Sequence, residues 1–127
     1  MNNNKNVVVL GASVKSERYS NMAVSLLAKK GYNVIPVHPS GLSVNGLKTY
    51  KSLSEVNLPI DTISMYVNPK QAKTIRNEII QSSPKRVIFN PGTEDNDLEK
   101  ECRTHNIIVE EACTLVLLKT DSFNIER

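Results

Sequence analysis

The residues best suited to chemistry lie in a polar loop that joins an apolar run to a helical pattern near the start of the chain. The run "VVVL" ends at Gly11, and Ser13, Lys15 and Arg18 follow before the helical pattern begins. Backbone N–H groups at the start of a helix point outward and carry the positive end of its dipole, so they favour phosphate. The loop therefore predicts a phosphate site, and a polar surface loop that binds nothing is the alternative.

Two familiar nucleotide sites do not fit this loop. The Gly-x-Gly-x-x-Gly pattern of dinucleotide-binding folds needs a second glycine where Ser13 stands. Those folds also end the second strand with an acidic residue that holds the ribose hydroxyls. The corresponding run, "VIPVHPSG" at 34–41, contains no acid, which argues against NAD. A P-loop is excluded as well, because no Gly-Lys-Ser/Thr sequence follows Gly11.

The elements that would position this loop alternate between strand and helix patterns. Apolar, often β-branched runs predict five strands, at 6–10, 32–39, 60–67, 86–90 and 107–112. Helical patterns lie between them, at 20–30, 68–84 and 91–106, with a short helical turn near 53–56. Residues 113–123 fit either a short strand or a closing helix. This alternation predicts an α/β fold: a doubly wound, mostly parallel five-stranded sheet between two helical layers, with strand order 3-2-1-4-5.

Capping residues mark where the predicted helices begin and end. Ser20 is expected to cap the first helix, and Gly31 suits the left-handed position that ends it. Asn68 is a good N-cap for the second helix, because Pro69 fits the first helical position. Thr93 is expected to cap the third helix.

Bulk composition narrows the class of partner. The chain has 127 residues, so we expect one domain over 1–127 with its core at about 6–118. The net charge of +3 comes from scattered cations, which favours an anionic small molecule over nucleic acid. The polar start "MNNNKN" lacks an apolar segment, so we expect no signal peptide, no membrane association and a cytoplasmic location. A homodimer or a protein partner stays open.

Ligands of parallel α/β sheets bind at the carboxyl ends of the strands, so those ends contain the candidate site. Five segments meet this criterion, namely 11–21, 38–41, 67–69, 90–94 and Cys113.

Several motifs occur in order along the chain and together resemble a known family. They read "GAS-x4-RYSN-x-A", "GY-x-VIPVHP", "TYKSLSEV", "VNPKQA", "FNPGTED" and "EEAC". The set is similar to the stand-alone coenzyme A-binding domain family, which is related to the N-terminal domain of the succinyl-CoA synthetase alpha subunit. The resemblance covers residues 6–118 and implies a Rossmann-like sheet that holds the ADP part of coenzyme A, or of an acyl-CoA, across the strand ends.

The resemblance also implies which residues bind the cofactor. The first loop would hold the pyrophosphate, and the second strand end would lie near the adenosine. The third strand end would pack against the nucleotide, and the fourth matches a further family motif. Lys15 is added for its charge. The predicted binding residues are Gly11, Ala12, Ser13, Lys15, Arg18, Tyr19, Ser20, Asn21, Val37, His38, Pro39, Val67, Asn68, Pro69, Asn90, Pro91 and Gly92.

The chain departs from the family pattern at the second strand end. The family has Asn-Pro there and the synthetase a lysine just after it, whereas this chain has His38 and Pro39 followed by Ser40 and Gly41. The sequence therefore identifies no cation for the 3′-phosphate of coenzyme A. The synthetase's phosphohistidine lies in a second domain that the resemblance does not cover, so no synthetase activity is implied.

The remaining reactive residues support weaker hypotheses. Cys113 follows the fifth strand, so a small coenzyme A-dependent transferase or thiol-redox enzyme is one alternative, although a small buried residue is the simpler interpretation. Cys102 is expected on the inner face of a helix. A nucleotide-sensing regulatory module is a second alternative. The sequence presents no nucleophile–base set and no metal-ligand spacing, so we predict binding without catalytic residues.

Overall fold

Five short parallel strands form the centre of the protein in the computed structural model, which describes residues 5–124. Consecutive ladders join each strand to its neighbours in parallel register. The strands are β1 (Asn6–Leu10), β2 (Asn33–Val37), β3 (Thr62–Met65), β4 (Arg86–Phe89) and β5 (Ile108–Glu111). The structure thus confirms the predicted α/β class and the position of each predicted strand.

Helices lie between the strands as the sequence patterns predict. The helices are α1 (Tyr19–Lys29), α2 (Pro69–Thr74), α3 (Arg76–Gln81), α4 (Asn96–Thr104) and α5 (Thr114–Lys119), with a 3₁₀ turn at Leu53–Glu55. The segment that was ambiguous between strand and helix is α5. The second predicted helix is divided into α2 and α3 at Ile75. Within the described residues, no helix has the length and apolar character needed to cross a membrane.

The strand order differs from the predicted 3-2-1-4-5. The observed order is β2-β1-β3-β4-β5, because β3 pairs with β1 rather than with β2. Pro36 explains why β2 lies at an edge: its carbonyl accepts from Tyr50 N at 3.0 Å on the side away from β1. The proline nitrogen faces that same side and has no hydrogen to donate, so a full partner strand there would lose a ladder hydrogen bond.

Alternating side chains of the strands build two apolar layers. On one face Val8 and Ile63 pack in a cluster that includes Ala72 of α2 and Ile79 of α3. On the other face Val7 and Val9 pack with Val24 and Leu27 of α1 and with Leu118 of α5. Strands buried on both faces are typical of parallel sheets covered by helices, so the three-layer prediction is confirmed.

Two of the predicted caps are correct and two are wrong. Asn68 caps α2 in a capping box with Gln71, and Gly31 follows α1 with a φ of +92°. Ser20 does not cap α1, because its Oγ accepts from Ser13 N at 3.1 Å instead. Thr93 does not cap α4, because Asp95 does so by accepting from Leu98 N, while Thr93 Oγ1 donates to the Asn90 carbonyl.

Candidate functional site

The candidate site lies where β1 ends, between its neighbours β2 and β3. The chain leaves β1 toward α1 on one face of the sheet, whereas it leaves β3 toward α2 on the other. The corrected strand order places the switch in strand order between β1 and β3, where ligands of such sheets bind. A crevice at this position is therefore a consequence of the topology.

Gly11 makes the turn that opens the crevice. Its φ is +93°, and a Cβ there would lie 3.0 Å from Val67 Cγ1 and 3.1 Å from the Tyr66 carbonyl carbon. Its N–H and that of Ala12 both donate to the Val37 carbonyl, at 2.9 and 3.1 Å. Only glycine fits this close approach without strain, so the backbone itself shapes the floor of the site.

Two clefts meet over this turn, one on each side of the sheet. The α1 cleft, of about 410 Å³, is lined by Gly11, Ser13, Lys15, Arg18, Tyr19, Ser20, His38 and Tyr66. The α2 cleft, of about 560 Å³, is lined by Leu10, Gly11, Val37, His38, Pro39, Lys51, Ser52, Leu53, Tyr66, Val67, Lys70, Gln71, Thr74, Ile75 and Glu78. Gly11, His38 and Tyr66 belong to both, so one ligand can lie across the end of β1.

Hydrogen bonds within the first loop fix its shape. Asn21 Nδ2 donates to the Ser13 carbonyl at 2.8 Å, and Lys15 N donates to Ser13 Oγ at 3.1 Å. Lys15 and Arg18 are exposed at the rim of the α1 cleft. No side chain caps α1, whose first turn also holds no acid, so the N–H groups and the two cations leave this corner positive.

The end of β2 presents a hydrogen-bond donor to both clefts. His38 Nδ1 accepts from Ser40 N at 3.0 Å, so the neutral ring carries its proton on Nε2. The His38 backbone N–H donates to the Tyr50 carbonyl at 2.9 Å, which holds the residue in place. A dinucleotide fold has an acceptor at the same position, so this strand end has the opposite hydrogen-bonding character.

Tyr66 is a lining residue of both clefts that the sequence analysis missed. Its hydroxyl is buried and has no hydrogen-bond partner among residues 5–124. Burial raises the pKa of Tyr66 to about 12, and the nearby Ser64 and Thr114 hydroxyls only partly oppose that rise. The phenol is therefore neutral at physiological pH. Its place directly before the "VNP" motif was the available sequence signal.

Lys51 and Lys70 were also missed, although both line the α2 cleft. Lys70 follows the "VNP" motif directly and lies in the first turn of α2. Lys51 comes from the long connection after β2, where sequence spacing gives no indication of which residues return to the strand ends. Their positions depend on tertiary structure.

The β4 and β5 ends are built differently, around the buried side chain of Asn90. Its Nδ2 donates to Ser64 Oγ at 3.0 Å and to the Met65 carbonyl at 2.8 Å. Its Oδ1 accepts from Thr114 N at 2.8 Å, and Thr114 Oγ1 bonds Ser64 Oγ at 2.7 Å. The side chain thus uses its hydrogen-bonding groups within the protein and joins β3, β4 and α5.

The structure divides the predicted binding residues into two groups. Those that line a cleft are Gly11, Ser13, Lys15, Arg18, Tyr19, Ser20, Val37, His38, Pro39 and Val67. Those that line neither cleft are Ala12, Asn21, Asn68, Pro69, Asn90, Pro91 and Gly92. Ala12 and Asn21 are buried, Asn68 and Pro69 begin α2, and Pro91 and Gly92 are exposed beyond β4.

Neither cysteine is a lining residue of the two clefts. Cys102 is buried in α4 as expected, and burial raises the pKa of its thiol to about 11. Cys113 is half-buried at the start of α5, so it is more exposed than the simpler interpretation implied. Among residues 5–124, no three His, Cys, Asp or Glu side chains gather where they could hold a metal ion.

Comparison with known proteins agrees with this fold. The fold and the two clefts define a small α/β protein with a crevice at the carboxyl ends of its strands. Residues 5–119 match the model of the CoA binding domain family, and the chain belongs to that family.

Three similar proteins illustrate the family relationship. A solved structure of an uncharacterized protein shares 34% identity and a TM-score of 0.86, with 96% of this chain and 100% of that chain covered. A hypothetical protein from Pyrococcus horikoshii shares 29% identity and a TM-score of 0.84, with 92% and 83% covered. YneT of Bacillus subtilis is 30% identical over 78 residues, which are 61% of this chain and 58% of that protein. The matched region thus spans less than two thirds of YneT.

Proposed function

We propose that this protein binds coenzyme A or an acyl-CoA, with the ADP part of the ligand lying over Gly11. The observation that carries the proposal is the meeting of the two clefts over that glycine turn, with cations and donors on both sides. Membership of the CoA binding domain family supports the choice of ligand.

The α1 cleft suits the pyrophosphate. Uncapped N–H groups at the start of α1, the Ser13 hydroxyl and the Lys15 and Arg18 side chains all favour negative charge there. Since Arg18 is exposed and forms no ion pair with a described residue, its guanidinium is free to meet a phosphate.

The α2 cleft suits the adenosine. Its walls include the apolar side chains of Leu10, Val67 and Ile75, which offer a surface for a flat base. Gln71 Oε1 accepts from Asn68 N at 3.1 Å, so its amide nitrogen is left to donate to a ring nitrogen. The cleft thus combines apolar walls with few polar groups, as ligand sites commonly do.

Calorimetric titration with coenzyme A, acetyl-CoA, ADP, NAD and NADP tests the proposal. Coenzyme A and acetyl-CoA should give a binding heat and raise the melting temperature, because their anionic groups match the cationic rim. NAD should bind far more weakly, because no acid receives its ribose hydroxyls. An absence of both heat and thermal shift with coenzyme A and acetyl-CoA at millimolar concentration would contradict the proposal.

A further inference from the structure

The connection after β2 contains a small hairpin whose turn is formed by Asn45 and Gly46. Val44 N donates to the Leu47 carbonyl at 3.1 Å, and Leu47 N donates to the Val44 carbonyl at 2.9 Å. The φ angles of Asn45 and Gly46 are +51° and +80°, as in the type I′ turns that Asn-Gly pairs favour. These two residues are the one Asn-Gly pair of the sequence. Because two backbone hydrogen bonds close the turn, its local opening requires little free energy.

An Asn-Gly pair deamidates when the glycine nitrogen attacks the asparagine side chain, and this turn leaves that nitrogen accessible. Asn45 and Gly46 are both exposed. Among residues 5–124, the Gly46 N–H donates to no other group. A Cβ on Gly46 would have no atom within 4 Å beyond its chain neighbours. Since glycine has no side chain of its own, nothing hinders its nitrogen from reaching the Asn45 amide carbon once the turn opens.

Polar groups from α1 surround the amide that would react. Asn45 Oδ1 accepts from Asn21 Nδ2 at 3.2 Å, and Asn45 Nδ2 donates to Ser25 Oγ at 2.7 Å. A donor on the amide oxygen stabilises the negative charge that develops there during the attack. The Ser25 hydroxyl lies beside the departing nitrogen, where it can supply a proton. The surroundings of Asn45 thus favour the reaction.

The same amide is linked to the α1 cleft through Asn21. Asn45 Nδ2 donates to the Asn21 carbonyl at 3.3 Å and to Asn21 Oδ1 at 3.2 Å. Asn21 Nδ2 in turn donates at 2.8 Å to the carbonyl of Ser13, a lining residue of the α1 cleft. A carboxylate at position 45 would lose both donations and would face two oxygen atoms of Asn21. It would also bring negative charge toward the corner that is proposed to hold phosphate.

We propose that Asn45 is a site of spontaneous deamidation, and that the product weakens ligand binding in the α1 cleft. Gly46 N attacks Asn45 Cγ and gives its proton to the solvent, and the Cγ–Nδ2 bond breaks to release ammonia. Water then adds to one of the two carbonyls of the cyclic imide and leaves aspartate or isoaspartate at position 45. The second part of the proposal rests on the proposed function, whereas the first part does not.

Peptide mapping of the native protein by mass spectrometry tests the first part. After incubation in warm, mildly alkaline buffer, the peptide with Asn45 should gain the mass that replaces NH2 by OH, in separable aspartate and isoaspartate forms. Asn57 is the internal control, because it is also exposed but precedes Leu58, whose side chain hinders the attack. Asn45→Gly suits the positive φ and should abolish the change. Absence of conversion at Asn45, or equal conversion at Asn57, would overturn the proposal.

Calorimetric titration with coenzyme A tests the second part. Asn45→Asp carries the carboxylate of the product and should weaken coenzyme A about fivefold, the effect of one lost hydrogen bond. Its melting temperature should stay close to that of the wild type. Asn57→Asp makes the same change of charge at a residue that lines neither cleft, and it should leave the affinity unchanged.

The outcomes separate this proposal from the proposed function. Equal affinity of wild type and Asn45→Asp would overturn the link to the α1 cleft. An equal loss for Asn57→Asp would assign the effect to net charge and overturn the link as well. If wild-type protein bound no coenzyme A, the proposed function and the link would both be wrong, whereas the conversion of Asn45 is measured without any ligand.

Discussion

The carboxyl ends of the strands form two halves, one at β1 and β2 and the other at β4 and β5. Both halves carry similar polar residues, but they use them in opposite ways. At the β1 and β2 ends, His38, Lys15 and Arg18 point to open clefts and leave donors and charges without partners in the described structure. At the β4 and β5 ends, Asn90 and Thr114 bond each other and β3. The first half thus has groups available to bind a ligand, whereas the second half connects the sheet to α5 by hydrogen bonds.

This difference shows that a polar residue at a strand end has two possible roles. A buried amide that has satisfied its hydrogen bonds contributes to stability, and its loss leaves other buried groups without partners. An exposed cation at a cleft contributes little to stability and is available for binding. Substitutions in the two halves should therefore affect different measurements, and that separation can be tested.

The largest effect on stability should come from Asn90→Ala. The change removes three hydrogen bonds at once and leaves Thr114 N, Ser64 Oγ and the Met65 carbonyl short of a partner in a buried place. We expect a loss of about 2–4 kcal/mol in the free energy of unfolding, measured by urea denaturation. Asn57→Ala, at an exposed position, is the control and should change it by less than about 0.5 kcal/mol. If Asn90→Ala changed the free energy of unfolding by a similarly small amount, the contrast between the two halves would be wrong.

Arg18→Ala should show the opposite profile. Because Arg18 is exposed at the rim of the α1 cleft, its loss should weaken coenzyme A about tenfold, by roughly 1.4 kcal/mol, with little change in unfolding. Calorimetry measures the affinity. Lys29→Ala removes one positive charge from the other end of the same helix and should leave the affinity nearly unchanged. Unchanged affinity for Arg18→Ala would assign its side chain to the solvent.

Asn68 lies between the two halves, and substitutions at this position distinguish a helix cap from a ligand contact. Its side chain accepts from Gln71 N at 2.8 Å, so Asn68→Ala should cost about 1 kcal/mol of stability through the lost cap. Asn68→Asp keeps the capping oxygen and should restore most of that stability in urea denaturation. If Asn68 instead contacted the phosphates, the aspartate would weaken coenzyme A strongly through charge repulsion.

Tyr66→Phe should have the smallest effect on stability. The buried hydroxyl has no hydrogen-bond partner in the described chain, so its removal should change the free energy of unfolding by less than about 0.5 kcal/mol or raise it slightly. The raised pKa of Tyr66, about 12, means that the folded state holds this proton more tightly than the unfolded state. The contribution of Tyr66 to stability should therefore fall as the pH rises from about 10 to 12. If the difference in the free energy of unfolding between wild type and Tyr66→Phe stayed constant over that range, the raised pKa of Tyr66 would be contradicted.

Much of the fold could be predicted because the signals were local. Runs such as "VVVL" fixed the strands, and the Asn68–Pro69 pair marked the start of α2. The predicted strand order was wrong. Pro36 lacks an N–H donor and so favours an edge position for β2, but this preference decides the order only when the possible strand pairings are compared. Pairing between distant strands depends on several segments together, so no single segment indicates it.

The site was harder to predict than the fold. Residues of the first loop and of the β2 end could be predicted as candidates because the sheet topology brings strand ends together, and most of them line a cleft. Asn90 looked equally suitable, and only its buried partners reveal a structural role. Lys51 reaches the α2 cleft through the packing of its stem on Gly41, a contact that neither composition nor spacing indicates.

The central claim is that coenzyme A binds at the carboxyl ends of β1 and β2. The most direct measurement is a titration of isotope-labelled protein with coenzyme A, followed through the backbone amide NMR signals. We expect saturable shifts for the amide signals of Gly11, Ser13 and His38, which are lining residues of the two clefts. An absence of shifts at millimolar coenzyme A, or shifts confined to the residues around Asn90 and Thr114, would contradict it.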